Sequence, residues 1–219
     1  MRLYLASTSP ARLATLRAAG IEPTVIPSEV DEDAAVAAAG PLTVAETVQL
    51  LARLKSEAVA SNPRGAQPLD GLADGVIDGF ILGADSMFEL DGVAYGKPHT
   101  PEVAKERWLL QRGRTGLLHS GHWLIDHRGG VLGGAAGAVS TTTVTFAGNI
   151  SDAEIDAYVS TGEPLTVAGA FTIDSLGAPF ISSIDGDAHA VVGLSLAVLR
   201  QLLVGFDVSW PTLWNRERL

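Results

Sequence analysis

The chain has 219 residues, of which 47% are hydrophobic and 18% charged, a globular composition long enough for one large α/β domain or two lobes sharing a cleft. A formal net charge of −10 argues against non-specific binding to nucleic acid polymers or anionic membranes, and zero cysteines excludes disulfides, thiolate catalysis and Cys-type zinc sites. No apolar run approaches the ~18 residues of a membrane span and the start lacks a basic-then-apolar leader, so the expectation is a soluble cytoplasmic protein.

Leu3-Tyr4-Leu5-Ala6 reads as a short buried strand that turns at once into a helix. Ser9 is placed to cap that helix and Pro10 suits its first turn, where a missing N–H costs nothing. The unpaired N–H groups there, with the hydroxyls of Ser7, Thr8 and Ser9 and with Arg12 one turn in, suit a phosphate, although Ser-Pro also serves simply to cap surface helices. Leu13 and Leu16 with Ala14 and Ala18 supply the expected apolar face, and Gly20 fits a left-handed stop. Thr24-Val25-Ile26 follows as a second strand, and beyond it come Glu29, Asp31, Glu32 and Asp33, read either as a solvated loop or as ligands for a divalent cation.

Thr43 to Ala60 has the spacing of an amphipathic helix, with Lys55 on the same stripe as Val44, Val48, Leu51, Ala52 and Val59. A lysine there either snorkels to the edge of the packed face or reaches a polar site. Residues 62–79 read as an exposed loop rich in Gly, Pro and Asp. Phe80-Ile81-Leu82 then forms a buried strand expected to end at Gly83-Ala84-Asp85-Ser86, placing a carboxylate at a strand's C-terminal end, with the two small residues admitting a ligand or a neighbouring strand. Asp91-Gly92 predicts a hairpin turn, and Pro98 holds Lys97 extended before a helix that opens at Thr100-Pro101 and stops near Gly113.

In the C-terminal half, Trp123–Asp126 and Ala138–Phe146 read as strands, and His119 and His122, three apart, fall on opposite strand faces, which disfavours a joint metal site. Ser151-Asp152-Ala153-Glu154 matches a capping box for a helix ending at Gly162. Residues 168–173 and 179–184 read as short strands, Asp185-Gly186-Asp187 as a turn and Leu194–Val204 as a last helix. The tail with Trp210 and Trp214 is expected to pack on the body or on a second copy in a homodimer.

In order, LASTSPAR, VDED, LARLKSEAVA, LGADS, GKP, ISDAEIDAYVSTGEP, AGAFTID and IDGDAHAVVGLSL resemble the Maf family of nucleoside triphosphate pyrophosphatases over nearly the whole chain, and its actinobacterial members most. The resemblance implies one Maf-like α/β domain across residues 1–219, an elongated mixed sheet flanked by helices, in two lobes with a central cleft. It also implies cleavage of a nucleoside triphosphate between its α and β phosphates with a divalent metal, Mg²⁺ or Mn²⁺. Under that resemblance Asp85 is the proton acceptor, Glu32 and Asp85 hold the metal, and Ser7, Arg12, Lys55 and Lys97 bind the phosphates.

Three positions bear on base specificity. The branch preferring dTTP and UTP has Arg, Thr and Gln where this chain has Ala11, Ser86 and Asp174, and the branch preferring 7-methyl-GTP has a large aromatic, Gln and Glu; the chain matches neither set. A carboxylate at 174 only accepts hydrogen bonds, and Ala11 leaves room for a bulky base, so the expectation leans to guanine-type nucleotides. Val167 and Ser195 replace a lysine and a proline usual in the family. Two other readings are a nucleotide-binding regulator of division or septation with little turnover, and a phosphohydrolase acting on sugar phosphates or monophosphates.

Overall fold

The computed structural model describes residues 1–61 and 76–215, so most of the loop expected at 62–79 lies outside the described residues. Among the described residues seven strands form one sheet, β1 (Leu3–Leu5), β2 (Thr24–Val25), β3 (Gly79–Leu90), β4 (Val93–Tyr95), β5 (Thr115–His127), β6 (Ala135–Phe146) and β7 (Ile181–Asp185). Their order is β2-β1-β3-β5-β6-β7 with β4 paired to β3. The helices are α1 (Pro10–Ala18), α2 (Glu32–Ala39), α3 (Val44–Ser61), α4 (Pro101–Gln111), α5 (Asp152–Ser160), α6 (Ala188–Val192) and α7 (Leu196–Val204). β1 runs parallel to both β2 and β3, whereas β3–β4 and β6–β7 are antiparallel, so the sheet is open and mixed, the expected α/β class.

The chain divides into two compact units, one of Met1–Asp85, Gly121–Val139 and Leu196–Leu219 and the other of Ser86–Ser120 and Ser140–Ser195. The first begins with the expected β-α-β unit. Ser9 caps α1, and its end is a Schellman stop: the Gly20 N–H donates to Arg17 O and the Ile21 N–H to Leu16 O, with Gly20 at φ 83°. The buried face of α1 is Arg12, Thr15 and Leu16, not the expected stripe, since Ala14 and Ala18 face outward. The stripe rotates because Arg12 is drawn inward by a hydrogen bond to Ser7.

α3 lies close on the sheet because three strands offer it glycine. A Cβ added at Gly83 would sit 2.1 Å from Ala52 O and 2.4 Å from Ser56 Oγ, one at Gly121 2.4 Å from Val48 O, and one at Gly137 2.2 Å from the Gln49 amide. The close neighbour admitted by Gly83 is therefore a helix. β3 does not end at Asp85 as expected but continues to Leu90, so Asp85 stands in mid-strand. Tyr4, Ile26, Val59, Ile77, Ile81 and Ile125 form the core of this unit. The tail packs on the same unit: the Asn215 side chain bonds both backbone groups of Glu22, and the Trp214 ring covers Gly20.

The second unit is built around aromatic rings. Trp108 meets Phe146, Tyr158 and Phe180 edge-on at 5.3 to 5.6 Å, and Phe171 meets Phe88 and Phe146 in the same way, contacts each worth about 0.5–1.5 kcal/mol beyond area burial. The hairpin at Asp91-Gly92 forms as expected, with φ of 52° and 76° matching a type I′ turn. The Ser151 capping box forms too, with Ile155, Tyr158 and Val159 inward. The strand expected at 168–173 does not form. Gly169 and Ala170 both take left-handed φ (70° and 63°), which breaks extension, and the Trp108 indole N–H holds the Ala170 carbonyl at 2.7 Å. The strand expected at 179–184 is displaced to Ile181–Asp185 behind a 3₁₀ turn, and α6 is a helix that the pattern did not predict.

Candidate active site

β1 ends at Leu5, paired with Leu82 of the parallel β3, and the Ala6 N–H still donates to Leu82 O. Ser7 lies two residues past Leu5 and Asp85 three past Leu82, so both stand level with the C-terminal end of β1, where open α/β sheets bind ligands. The expected placement thus holds by β1, although not by β3 itself. Ser7, Arg12, Lys55 and Asp85 are all buried, 7 to 8% exposed. Groups of these types are rarely so deep unless paired.

Each is paired. The Arg12 guanidinium donates from Nη1 to Ser7 Oγ at 3.0 Å, and Ser7 Oγ also accepts the Ser9 N–H at 3.2 Å. Lys55 Nζ lies 2.7 Å from Asp85 Oδ1 and 2.7 Å from Glu32 Oε1. The lysine therefore reaches a polar site and does not snorkel. Lys55 follows Ala52 on the helix face pressed against Gly83, and Asp85 is two residues beyond Gly83 on the same side of its strand, so close helix–sheet packing makes the pair. Only part of the acidic segment is loop: Glu29 precedes α2, Asp31 caps it through the Ala34 N–H, and Glu32 and Asp33 lie in its first turn, where negative charge is favoured.

Burial pushes the Asp85 carboxyl above the usual carboxylate range, opposed by the charges of Lys55 and Arg12. Burial likewise lowers Arg12, opposed by Asp85 and Glu32. A proton acceptor with a raised pKa is a better base near neutrality than a solvated carboxylate. Two cations and two anions balance in this cluster. A polyanionic ligand therefore needs further positive charge.

Glu32 and Asp85 offer hard carboxylate oxygens converging on one atom, and Mg²⁺ is commonly held by one or two carboxylates with waters and substrate phosphates completing its shell. The donor set fits such an ion. Among the described residues no group of three His, Cys, Asp or Glu side chains is placed to hold a metal without a ligand's help.

The remaining expected residues are placed differently. Ala11 is half-buried in α1 beside Arg12. Ser86 points to the opposite face of β3 from Asp85, its hydroxyl 2.7 Å from that of Ser120, which donates to Ala190 O. Lys97 is exposed on a turn held by Arg107, whose Nη1 donates to Gly96 O at 2.5 Å and whose guanidinium lies over the Tyr95 ring at 5.6 Å. The Gly169 N–H also reaches Gly96 O, at 3.3 Å, so the turn carrying Lys97 is tied to the 167–170 segment. Asp174 is exposed on the segment that follows.

Other polar residues play a part that the sequence reading did not assign. Ser195 donates to the Asp187 carboxylate at 2.5 Å, and that carboxylate caps α6, so the serine replacing a proline has its own structural partner. His119 is held between Glu89 and Thr141 at 3.0 Å each. Glu163 accepts hydrogen bonds from Tyr158, Thr172 and Ser175 hydroxyls and from the Leu176 and Gly177 N–H groups. Burial acts to raise this carboxyl, but those hydrogen bonds outweigh it and hold it at about 2. The sequence signal is only a Glu after Gly162, because its partners lie five residues before it and nine to fourteen residues further on.

A buried Lys55–Asp85 pair joined from the surface by Glu32, beside the positive end of α1, defines an α/β protein of the phosphate-handling kind. The chain belongs to the Maf-like protein family, which it matches across residues 2–206. It is 64% identical to a protein of Leifsonia xyli subsp. xyli over 99% of this chain and 98% of that one. It is 49% identical to one of Salinispora tropica, over 99% and 88%, and 46% identical to one of Corynebacterium diphtheriae, over 99% and 100%. All three are named nucleoside triphosphate pyrophosphatase.

Proposed function

We infer that the chain is a nucleoside triphosphate pyrophosphatase, a hydrolase that splits a nucleoside triphosphate with water into the monophosphate and pyrophosphate. The observation that carries the reading is the Lys55 ammonium held 2.7 Å from both Asp85 and Glu32, next to Arg12 and Ser7, in a chain 64% identical to a protein of that name.

Asp85 orients a water through its carboxylate and takes one proton as the water oxygen bonds to phosphorus. The bridging oxygen between the α and β phosphates leaves with its electron pair on pyrophosphate. Lys55 keeps Asp85 aimed, and its charge offsets negative charge developing on the phosphates. Ser7 and Arg12, with the α1 N–H groups, bind phosphate oxygens, and Lys97 adds a further cation. Glu32 and Asp85 would hold Mg²⁺ or Mn²⁺, which would supply Lewis-acid neutralisation of phosphate charge. The balanced charge of the cluster supports this need for an added cation.

Asp174 is proposed to read the base and Ala11 and Ser86 to border it, with guanine-type nucleotides favoured because a carboxylate accepts from N1–H and the N2 amino group. A cytoplasmic setting is part of this proposal; among the described residues no helix is long and apolar enough to cross a membrane. The test is product analysis over a panel of nucleoside triphosphates with Mg²⁺ or Mn²⁺. Pyrophosphate release supports the reading; orthophosphate points to a different phosphohydrolase, and binding without turnover to a nucleotide-responsive regulator.

A further inference from the structure

The segment from Phe171 to Phe180 has little regular structure, yet it is tied down at both ends and in the middle. It is entered through two successive left-handed residues, Gly169 and Ala170. Ala170 is the costly one, since a non-glycine residue there is strained by about 1–3 kcal/mol and persists only where its surroundings over-determine it. The Trp108 indole holds its carbonyl, and a Cβ at Gly169 would sit 2.7 Å from the Phe88 Cβ. At the far end Gly177 is packed so closely that a Cβ would lie 2.7 Å from the Tyr158 hydroxyl and 2.7 Å from Thr172 O.

Glu163 closes the arrangement. Its Oε1 accepts from Tyr158 at 2.9 Å, Thr172 at 2.5 Å and the Gly177 N–H at 3.2 Å, and its Oε2 accepts from Ser175 at 2.6 Å and the Leu176 N–H at 3.3 Å. Between these fixed points Asp174, Ser175 and Leu176 are exposed. Phe171 at one end of the segment and Gly177 at the other are buried, whereas the apex that Glu163 fixes between them is exposed. Such fixation is what a surface loop needs to present side chains at a set place to a ligand.

We propose that Glu163 is a positioning residue for base selection, fixing the 172–177 loop so that its exposed apex discriminates among nucleobases. The proposal rests on the pyrophosphatase reading. Its chemistry requires a carboxylate, since each oxygen takes a backbone N–H that cannot reverse its polarity. A glutamine amide would set a donor against either Leu176 or Gly177, whichever way it turned. Glu163→Gln is therefore disruptive here although it keeps the shape.

The experiment compares wild type, Glu163→Gln and Asp174→Asn over the nucleoside triphosphate panel. Inhibition by inorganic pyrophosphate, which has no base, is the control. Expected for Glu163→Gln is a ~10-fold collapse in the ratio of best to worst kcat/KM, borne mainly by KM, with pyrophosphate inhibition within ~2-fold of wild type. Unchanged selectivity in Glu163→Gln overturns the proposal, as does an equal loss of pyrophosphate binding, which would mark general damage. If Asp174→Asn is silent but Glu163→Gln is not, the loop still selects the base through a residue other than Asp174 and the proposal stands. Orthophosphate as the wild-type product would instead sink the pyrophosphatase reading. Should Glu163→Gln not fold, Thr172→Val with Ser175→Ala removes two donors, leaves the carboxylate, and must shift selectivity the same way.

Discussion

Replacing Lys55 with methionine keeps most of the side-chain volume and removes the ammonium between Asp85 and Glu32. Asp85 is 7% exposed and would keep, among the described residues, Arg12 as its nearby cation, with Glu32 left as a like charge. Breaking a buried pair by removing one partner costs about 3–5 kcal/mol, because the other charge stays buried. At about 2–4 °C per kcal/mol for a chain of this size, the melting temperature should fall by roughly 6–20 °C. The loss has a pH signature. In the variant the folded-state pKa of Asp85 lies above its unfolded value near ~3.9, so the folded protein holds the extra proton and loses stability as pH rises through the folded pKa. Urea denaturation of variant and wild type should therefore differ more at ~pH 8 than at ~pH 5. Adding Asp85→Asn should recover most of the loss. A deficit under about 1 kcal/mol, the range of a surface ion pair, or one equal at both pH values, would refute the argument that Lys55 compensates a buried charge.

Asp85→Asn alone should fold and lose at least ~10²-fold in turnover, since an amide cannot accept the water's proton; near wild-type activity would remove Asp85 from the mechanism. Arg12→Ala and Lys97→Ala should each cost roughly 1.5–3 kcal/mol in kcat/KM, alike for every base, and a change confined to one nucleotide would contradict a phosphate role. Asp174→Gln should move relative kcat/KM toward dTTP and UTP by ~10-fold, and an unmoved ratio means that Asp174 does not read the base. The Glu163 carboxyl is held at about 2, below its usual 4.5, so its contribution to stability is present above that usual value and disappears as pH falls toward about 2. Amide signals of Leu176 and Gly177 in an acid titration check this, and a loss already complete near neutrality would contradict it.

What could be read from the sequence was local. Ser9-Pro10, Gly20, Asp91-Gly92 and the Ser151 capping box specify their turns through their own backbone chemistry, and each forms as expected. Lys55 stood out because a charge on an apolar stripe needs a partner, yet the stripe could not name Asp85, thirty residues away. Gly83 shows the same limit. A glycine in a strand signals a close neighbour, and only tertiary packing shows that the neighbour is α3, while β3 itself runs on past Asp85 to pair with β4 through Phe88–Leu90. Residues 168–173 have the β-branched and aromatic content of a strand but are overruled by two left-handed residues and a tryptophan hydrogen bond. The short α6 has too few residues for a period to register, and the function of Glu163 is spread over donors that no fixed spacing marks.

The central claim, hydrolysis at Asp85 to pyrophosphate, is tested most directly by measuring both products from a guanine nucleoside triphosphate with Mg²⁺, in parallel for the wild type and Asp85→Asn. The account predicts equal amounts of monophosphate and pyrophosphate from the wild type and almost none from the variant. Orthophosphate from the wild type, or undiminished pyrophosphate from the variant, would contradict it.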